Sequence, residues 1–298
     1  MNSASSAAVV VGVDGSEPAR RAVRLAAAEA ARRNRPLRVV HGFIWPLLRV
    51  PVDGVAGGPA GGGLRHQAQE LVAAAVAEAE AVAPELRVTG EIIDGEAAAV
   101  LLGETPTATM IVLGDRGLGG FGALVLGSVA IQVAAYADCP VLVARGAPRS
   151  AGPVVVGVDG SALSRAAVEF AAEEAALRGA PLHAVHAYTH PASGGPGDMQ
   201  PLVYEENQLR GEEDRIVAES LTGLADRYPQ VPVTRETRHG RPVSVLTEAS
   251  RGAQLVVVGN QGRRELSGLL LGSVSQGVLH HADCPVAVVH TVGVGGDG

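Results

Sequence analysis

Val9-Val10-Val11-Gly12-Val13-Asp14-Gly15-Ser16 recurs unchanged as Val154-Val155-Val156-Gly157-Val158-Asp159-Gly160-Ser161. The offset of 145 residues between Val9 and Val154 is kept by Gly114 and Gly259, by Gly127-Ser128 and Gly272-Ser273, and by Asp138-Cys139-Pro140 and Asp283-Cys284-Pro285. Each copy is long enough to enclose its own core, so the period marks a duplicated domain and not a solenoid. The expected organisation is one domain over residues 1–146, a linker over 147–152 and a second domain over 153–298.

The same octapeptide decides the fold of each half. A continuous apolar run at 9–13, almost all valine, suits a strand buried on both faces of a parallel sheet, and Asp14-Gly15-Ser16 ends it. Ser16 is placed to cap a helix with Pro18 in its first turn and Ala22, Val23, Ala26, Ala27 and Ala30 along one face. Further strands are predicted at 37–43, 86–93, 109–113 and 141–144, with helices at 67–82, 96–104 and 124–136 and a long loop over 45–63. In the second half the strands fall at 154–158, 182–188, 231–237, 255–258 and 286–290, and the helices at 166–178, 205–228, 243–251 and 269–281. Strands alternating with helices imply right-handed crossovers, so each half is expected to be an α/β, doubly wound parallel sheet.

Composition narrows the function classes. Apolar residues are 47% of the 298, enough for two cores, whereas aromatics are only 3%, too few for base-stacking platforms on single-stranded nucleic acid. A formal charge of −7 opposes a phosphate-backbone binder, and with no Lys in the chain lysine chemistry is excluded. The uncharged stretch 117–137 is interrupted by five glycines, and its counterpart carries Arg263, Arg264 and Glu265, so no membrane span is expected. The start of the chain lacks a basic segment and a long apolar run, which fits a cytoplasmic protein. Cys139 and Cys284 sit in matching places before short apolar strands and read as small buried hydrophobes, with no disulfide framework.

Chemistry concentrates after the fourth strand of each half. Gly114-Asp115-Arg116-Gly117 is followed after nine residues by Gly127-Ser128, and Gly259-Asn260-Gln261-Gly262 after nine by Gly272-Ser273. A glycine-rich turn leading into a helix brings backbone amides and the positive end of the helix dipole to an anion. It is neither the lysine-bearing phosphate loop nor the dinucleotide GxGxxG fingerprint. Tight turns and close helix packing also use such glycines, so both readings stand at this point. Asp14 and Asp159 follow the first strands, where ligands of open α/β sheets gather, and suit a ribose hydroxyl or a phosphate-borne metal; a turn-capping role is the alternative.

These motifs, together with the strand-end His41 and His186, resemble the universal stress protein family in its tandem two-domain form, over nearly the whole chain. The resemblance implies a five-stranded adenine-nucleotide α-hydrolase-like sheet of order 3-2-1-4-5 in each half, the halves related by a pseudo-twofold. It also implies ATP as ligand, with Mg carried by the phosphates near Asp14 and Asp159 and no metal held by protein ligands alone. Carried over, Gly12, Val13 and Gly42 flank the adenine and Asp14 the ribose, with Gly114, Gly117, Gly127, Ser128 and Val129 under the phosphates. Asp115, Arg116, Gly119 and Gly120 complete the first loop. The second site takes Gly157, Val158, Asp159, Ala187, Gly259, Asn260, Gln261, Gly262, Gly272, Ser273 and Val274. Asp115 departs from the family's small or polar residue, and Arg116 alone offsets a triphosphate in the first loop, whereas Arg263 and Arg264 serve the second. The second site is therefore expected to bind ATP at least as well as the first.

No Lys or His in the loops supplies a base for the γ-phosphate, and the serine-glycine loop of pyrophosphate-releasing relatives is missing after Val13. His183 and His186, three apart on a strand, face opposite ways, and His280 and His281 are adjacent on a helix, so neither pair makes a metal site. The resemblance therefore implies a nucleotide-dependent stress-response binder that acts on other proteins with little or no ATP turnover. A slow ATPase, a nucleotidyl-transferring enzyme and an empty dimerisation module are the alternatives.

The apolar last strands, 141–144 and 286–290, would be exposed edges unless paired, and the resemblance implies that the halves pair through them. A homodimer would then use another surface. Arg or Pro at Val143 or Val288 is expected to cause aggregation or separate melting of the halves; unaltered cooperative unfolding in both would refute the pairing.

Overall fold

The computed structural model describes residues 7–44, 62–117, 126–189, 206–262 and 271–290. They form two compact units, one ending at Gly146 and the other beginning at Ala147. Unit 1 runs β1 (Val9–Gly12), α1 (Glu17–Arg32), β2 (Leu37–Phe43), α2 (Gly62–Val82), β3 (Val88–Asp94), α3 (Ala97–Glu104), β4 (Met110–Gly114), α4 (Ser128–Tyr136) and β5 (Val141–Ala144). Its strands are parallel in the order 3-2-1-4-5, with Val11 of β1 beside Val39 of β2 and Val112 of β4. The winding reverses between β1 and β4, so their carboxyl ends border one crevice.

Unit 2 repeats the plan as β6 (Val154–Val158), α5 (Ala162–Arg178), β7 (Leu182–Tyr188), α6 (Glu206–Ser220), α7 (Leu224–Arg227), β8 (Val233–His239), α8 (Pro242–Ser250), β9 (Leu255–Gly259), α9 (Ser273–His281) and β10 (Val286–Val289). Its strand order is 8-7-6-9-10, the same topology.

Valines fill the first strands because both faces are covered: Val9, Val11, Val154, Val155 and Val156 are fully buried. Small residues let helix α1 lie close on the sheet, with Ala22, Val23, Ala26, Ala27 and Ala30 inward. Ser16 caps this helix, its Oγ accepting from Ala19 N at 3.2 Å, and Ser161 caps α5 by accepting from Ser164 N at 3.1 Å. Helix α5 therefore starts at Ala162, four residues before its predicted start.

Other boundaries shift for identifiable reasons. The helix predicted over 205–228 is two, because Gly223 takes a left-handed conformation (φ 78°) between Ser220 and Leu224. Strand β8 begins after Pro232, which has no N–H to donate, and β3 begins after Leu86, whose N–H is held in a turn by Ala83 O at 3.0 Å. The helices predicted from 124 and 269 start at Ser128 and Ser273, since Gly127 and Gly272 keep extended backbone. Among the described residues no helix is long and apolar enough to cross a membrane.

Both cysteines are buried and neither is in a disulfide, and burial pushes the Cys139 thiol up to about 12, so it stays protonated as a small hydrophobe.

Sequence patterning gave no sign of Glu29 and Glu174, both wholly buried on the inner faces of α1 and α5. Glu29 pairs with Arg32 at 2.8 Å and with Arg33, and Glu174 with Arg178 at 2.9 Å. Such a pair is costly to break from one side because the remaining charge stays buried. Glu174→Ala is expected to lower stability by about 3 kcal/mol in urea titration, with Glu174→Met/Arg178→Met recovering most of the loss. A single substitution as mild as the double one would contradict this.

Candidate functional site

The crevice of unit 1 is built from two chain segments that leave adjacent strands. Beyond β1, Val13 N donates to Val40 O at 3.0 Å, which keeps the chain parallel to β2 as far as Asp14. Asp14 Oδ1 then accepts from Ser16 N at 3.0 Å, an Asx turn that leads into α1. Its other oxygen faces the glycine loop: a methyl group on Gly117 would stand 2.5 Å from Asp14 Oδ2. One oxygen of this aspartate thus holds the turn while the other borders the glycine loop. Unit 2 repeats the arrangement, with Asp159 Oδ1 accepting from Ser161 N at 2.9 Å and Oδ2 standing 3.0 Å from a methyl placed on Gly262.

The glycine loop closes on itself. Gly127 N donates to Asp115 O at 2.8 Å, and Gly272 N to Asn260 O at 2.7 Å. Gly127 and Gly272 cap α4 and α9 without any side chain, whereas α1 and α5 have their serine caps. The first-turn amides of α4 and α9 have no carbonyl one turn earlier to accept from them, so they suit an external acceptor.

These parts enclose a cavity of about 350 Å³ in unit 1. Of the residues predicted for the first site, Gly12, Val13, Asp14, Gly42, Gly114, Arg116, Gly117, Gly127, Ser128 and Val129 line it. Gly42 reaches the start of α3, where a methyl on it would lie 2.8 Å from Ala97 Cα. Arg116 is exposed and has no ion pair among the described residues, which leaves its guanidinium available to an anion. Asp115 does not line the cavity. Its carboxylate is buried and pairs with Arg21 of α1 at 3.1 Å, so the acid flagged as a departure in the loop is neutralised beneath it. Gly119, Gly120, Arg263 and Arg264 lie outside the described residues.

The remaining walls are apolar: Val40, Ala97, Leu101, Leu113 and Leu126. The sequence does not single these out, since an aliphatic that lines a crevice has the same period and residue type as one packed in the interior. The walls can hold a flat apolar group, while the polar end offers backbone amides, one carboxylate and one guanidinium.

In unit 2, Gly157, Val158, Asp159, Gly259, Gly262, Gly272, Ser273 and Val274 hold the equivalent backbone positions, and Ala187 stands near the end of β7 in place of Gly42. The polar details differ. Asn260 and Ala166 replace the Asp115–Arg21 pair, and Gln261 replaces Arg116. Ser164 Oγ accepts from Asp159 N at 3.1 Å and Ser275 Oγ donates to Gly259 O at 2.5 Å, where unit 1 has Ala19 and Ala130. Among the described residues no three His, Cys, Asp or Glu side chains converge as metal ligands.

Comparison with known proteins agrees with this fold. The model of the universal stress protein family matches residues 7–145 and again 151–290. A universal stress protein of Mycolicibacterium smegmatis is 36% identical over 309 aligned residues, which cover 97% of this chain and 99% of that protein. One from Mycobacterium tuberculosis is 39% identical over 295, covering 94% and 96%. The crystal structure of a universal stress protein from Archaeoglobus fulgidus has the same fold, with a TM-score of 0.67 at 19% identity over 95% of this chain and 96% of that one.

Asn at position 14 keeps the oxygen that accepts from Ser16 N and removes the charge facing Gly117. Asp14→Asn is therefore expected to leave the ligand-free melting temperature nearly unchanged and to weaken ATP binding by about tenfold, the worth of a hydrogen bond to a charged group. A large loss of ligand-free stability with unchanged affinity would assign Asp14 to turn capping alone.

Proposed function

The chain belongs to the universal stress protein family, and from that premise we propose that each unit binds an adenine nucleotide, ATP, in the crevice between its first and fourth strands. The observation that carries the reading is the carboxylate facing the glycine loop, present twice, as Asp14 against Gly117 and Asp159 against Gly262. A ribose hydroxyl can donate to such a carboxylate while the phosphates lie over the loop, where a bare Cα lets the backbone amides approach. The apolar walls of unit 1 suit the adenine face, with Gly12, Val13 and Gly42 beside it. Arg116 offsets phosphate charge there, and a magnesium ion carried by the triphosphate would meet Asp14, or Asp159 in unit 2.

Hydrolysis calls for a group that orients water against the γ-phosphate. Among the described residues the first cavity is lined by glycines, aliphatics, Ser128, Asp14 and Arg116, a set suited to bind and shield phosphate but with no histidine or lysine to move a proton. We therefore read the protein as a cytoplasmic, nucleotide-dependent stress-response regulator that presents its bound state to protein partners, with slow turnover at most. It is expected to bind no nucleic acid and no membrane.

Valine at Gly117 or Gly262 fills the space between loop and carboxylate. Titration calorimetry should find two ATP sites in the wild-type chain and one in each of Gly117→Val and Gly262→Val. A wild-type chain that binds no ATP, or variants that each keep both sites, would overturn the reading.

A further inference from the structure

Unit 2 has a part-buried polar contact beside its crevice that has no counterpart among the described residues of unit 1. His41 and His186 hold matching places near the ends of β2 and β7, and each ring meets a backbone carbonyl: His41 Nδ1 lies 2.8 Å from Val13 O, and His186 Nδ1 2.6 Å from Val158 O. A carbonyl only accepts, so Nδ1 is the donor in both. In unit 2 the other ring nitrogen, Nε2, lies 2.7 Å from Glu213 Oε2 on α6, and the histidine is only 5% exposed. At the offset of 145 from Glu213 stands Ala68 of α2, which has no polar side chain to offer His41. The two helices align at this point, since a methyl placed on Gly15 would stand 2.9 Å from Leu71 as one on Gly160 would stand 2.9 Å from Ile216.

With Nδ1 donating, a neutral His186 would turn the lone pair of Nε2 towards a carboxylate oxygen, two acceptors at hydrogen-bond distance. A ring protonated on both nitrogens makes both bonds, and the carboxylate balances its charge. We propose that His186 is held as an imidazolium clasped by Glu213, and that the clasp is a positioning device for the nucleotide site of unit 2. It ties α6 through Val158 to the next residue, Asp159, whose Oδ2 faces Gly262. Fixing that strand end before ligand arrives lowers the ordering cost of binding. Unit 1 has the histidine–carbonyl bond without the clasp. His183, on the opposite face of the same strand, meets Glu236 at 3.1 Å in a half-buried pair away from this turn. The positioning role rests on the nucleotide reading; the protonation of the ring does not.

Nitrogen-15 spectra of histidine-labelled full-length protein, assigned with His186→Gln, are expected to show hydrogen bonded to both ring nitrogens of His186. A bare Nε2 in the wild-type chain would overturn the clasp. ATP binding is then measured on a Gly117→Val parent, in which unit 2 alone binds. Glu213→Ala, which copies Ala68, is expected to weaken binding by about tenfold, whereas Glu213→Gln, whose amide donates to a neutral Nε2, should stay within about twofold. Unchanged affinity in Glu213→Ala would refute the positioning role. A parent that binds no ATP overturns the nucleotide reading and the role with it, while the ring spectra still decide the imidazolium.

Discussion

The short range between two backbone segments governs each unit of this protein. The turn after β1 and the loop after β4 leave neighbouring parallel strands and remain so close that Gly117 has no room for a methyl group beside Asp14 Oδ2. That approach depends on the strand order, because only where the winding reverses do two adjacent strands send their connections to opposite faces and leave a crevice between them. The valine-rich first strand, the small-residue face of α1 and the serine cap at Ser16 all serve to hold the turn in place. The site is thus a consequence of sheet topology, and the side chains refine it.

The duplication lets the two refinements be compared within one chain. The Asx turn, the bond that closes the loop and the uncapped helix start occur in both units with nearly the same distances. The side chains around them have diverged in coordinated sets. Arg21 and Asp115 are both replaced, by Ala166 and Asn260, so that neither unit is left with half of that ion pair. Unit 2 in turn gains Ser164, Ser275 and Glu213, each of which bonds to the strand ends or turns that frame its crevice. The two units thus share one backbone geometry and differ in its polar support.

Much of the fold was legible in the residues. The repeated octapeptide, the alternation of buried runs with helical faces and the glycine spacing were enough to place the strands and the turn of Asp14. Legibility failed where long-range contacts decide the outcome. Asp115 read as a loop acid until Arg21, ninety-four positions earlier in the chain, turned out to neutralise it. The burial of Glu29 and Glu174 leaves no mark on the sequence, since a glutamate paired with an arginine one turn later is as common on surfaces as in interiors. The partner of His186 lies on a helix whose polar residues follow no motif, and only comparison with Ala68 isolates it. Helix ends were misplaced where a glycine adopts extended or left-handed backbone, as at Gly127 and Gly223.

The claim that the carboxylate and the glycine loop form one nucleotide cradle in each unit is tested most directly by a crystal structure of the full chain grown with ATP. The ribose is predicted within hydrogen-bond distance of Asp14 in unit 1 and Asp159 in unit 2, with the phosphates over Gly117 and Gly262. Nucleotide bound elsewhere on the protein, with both crevices empty, would contradict the account.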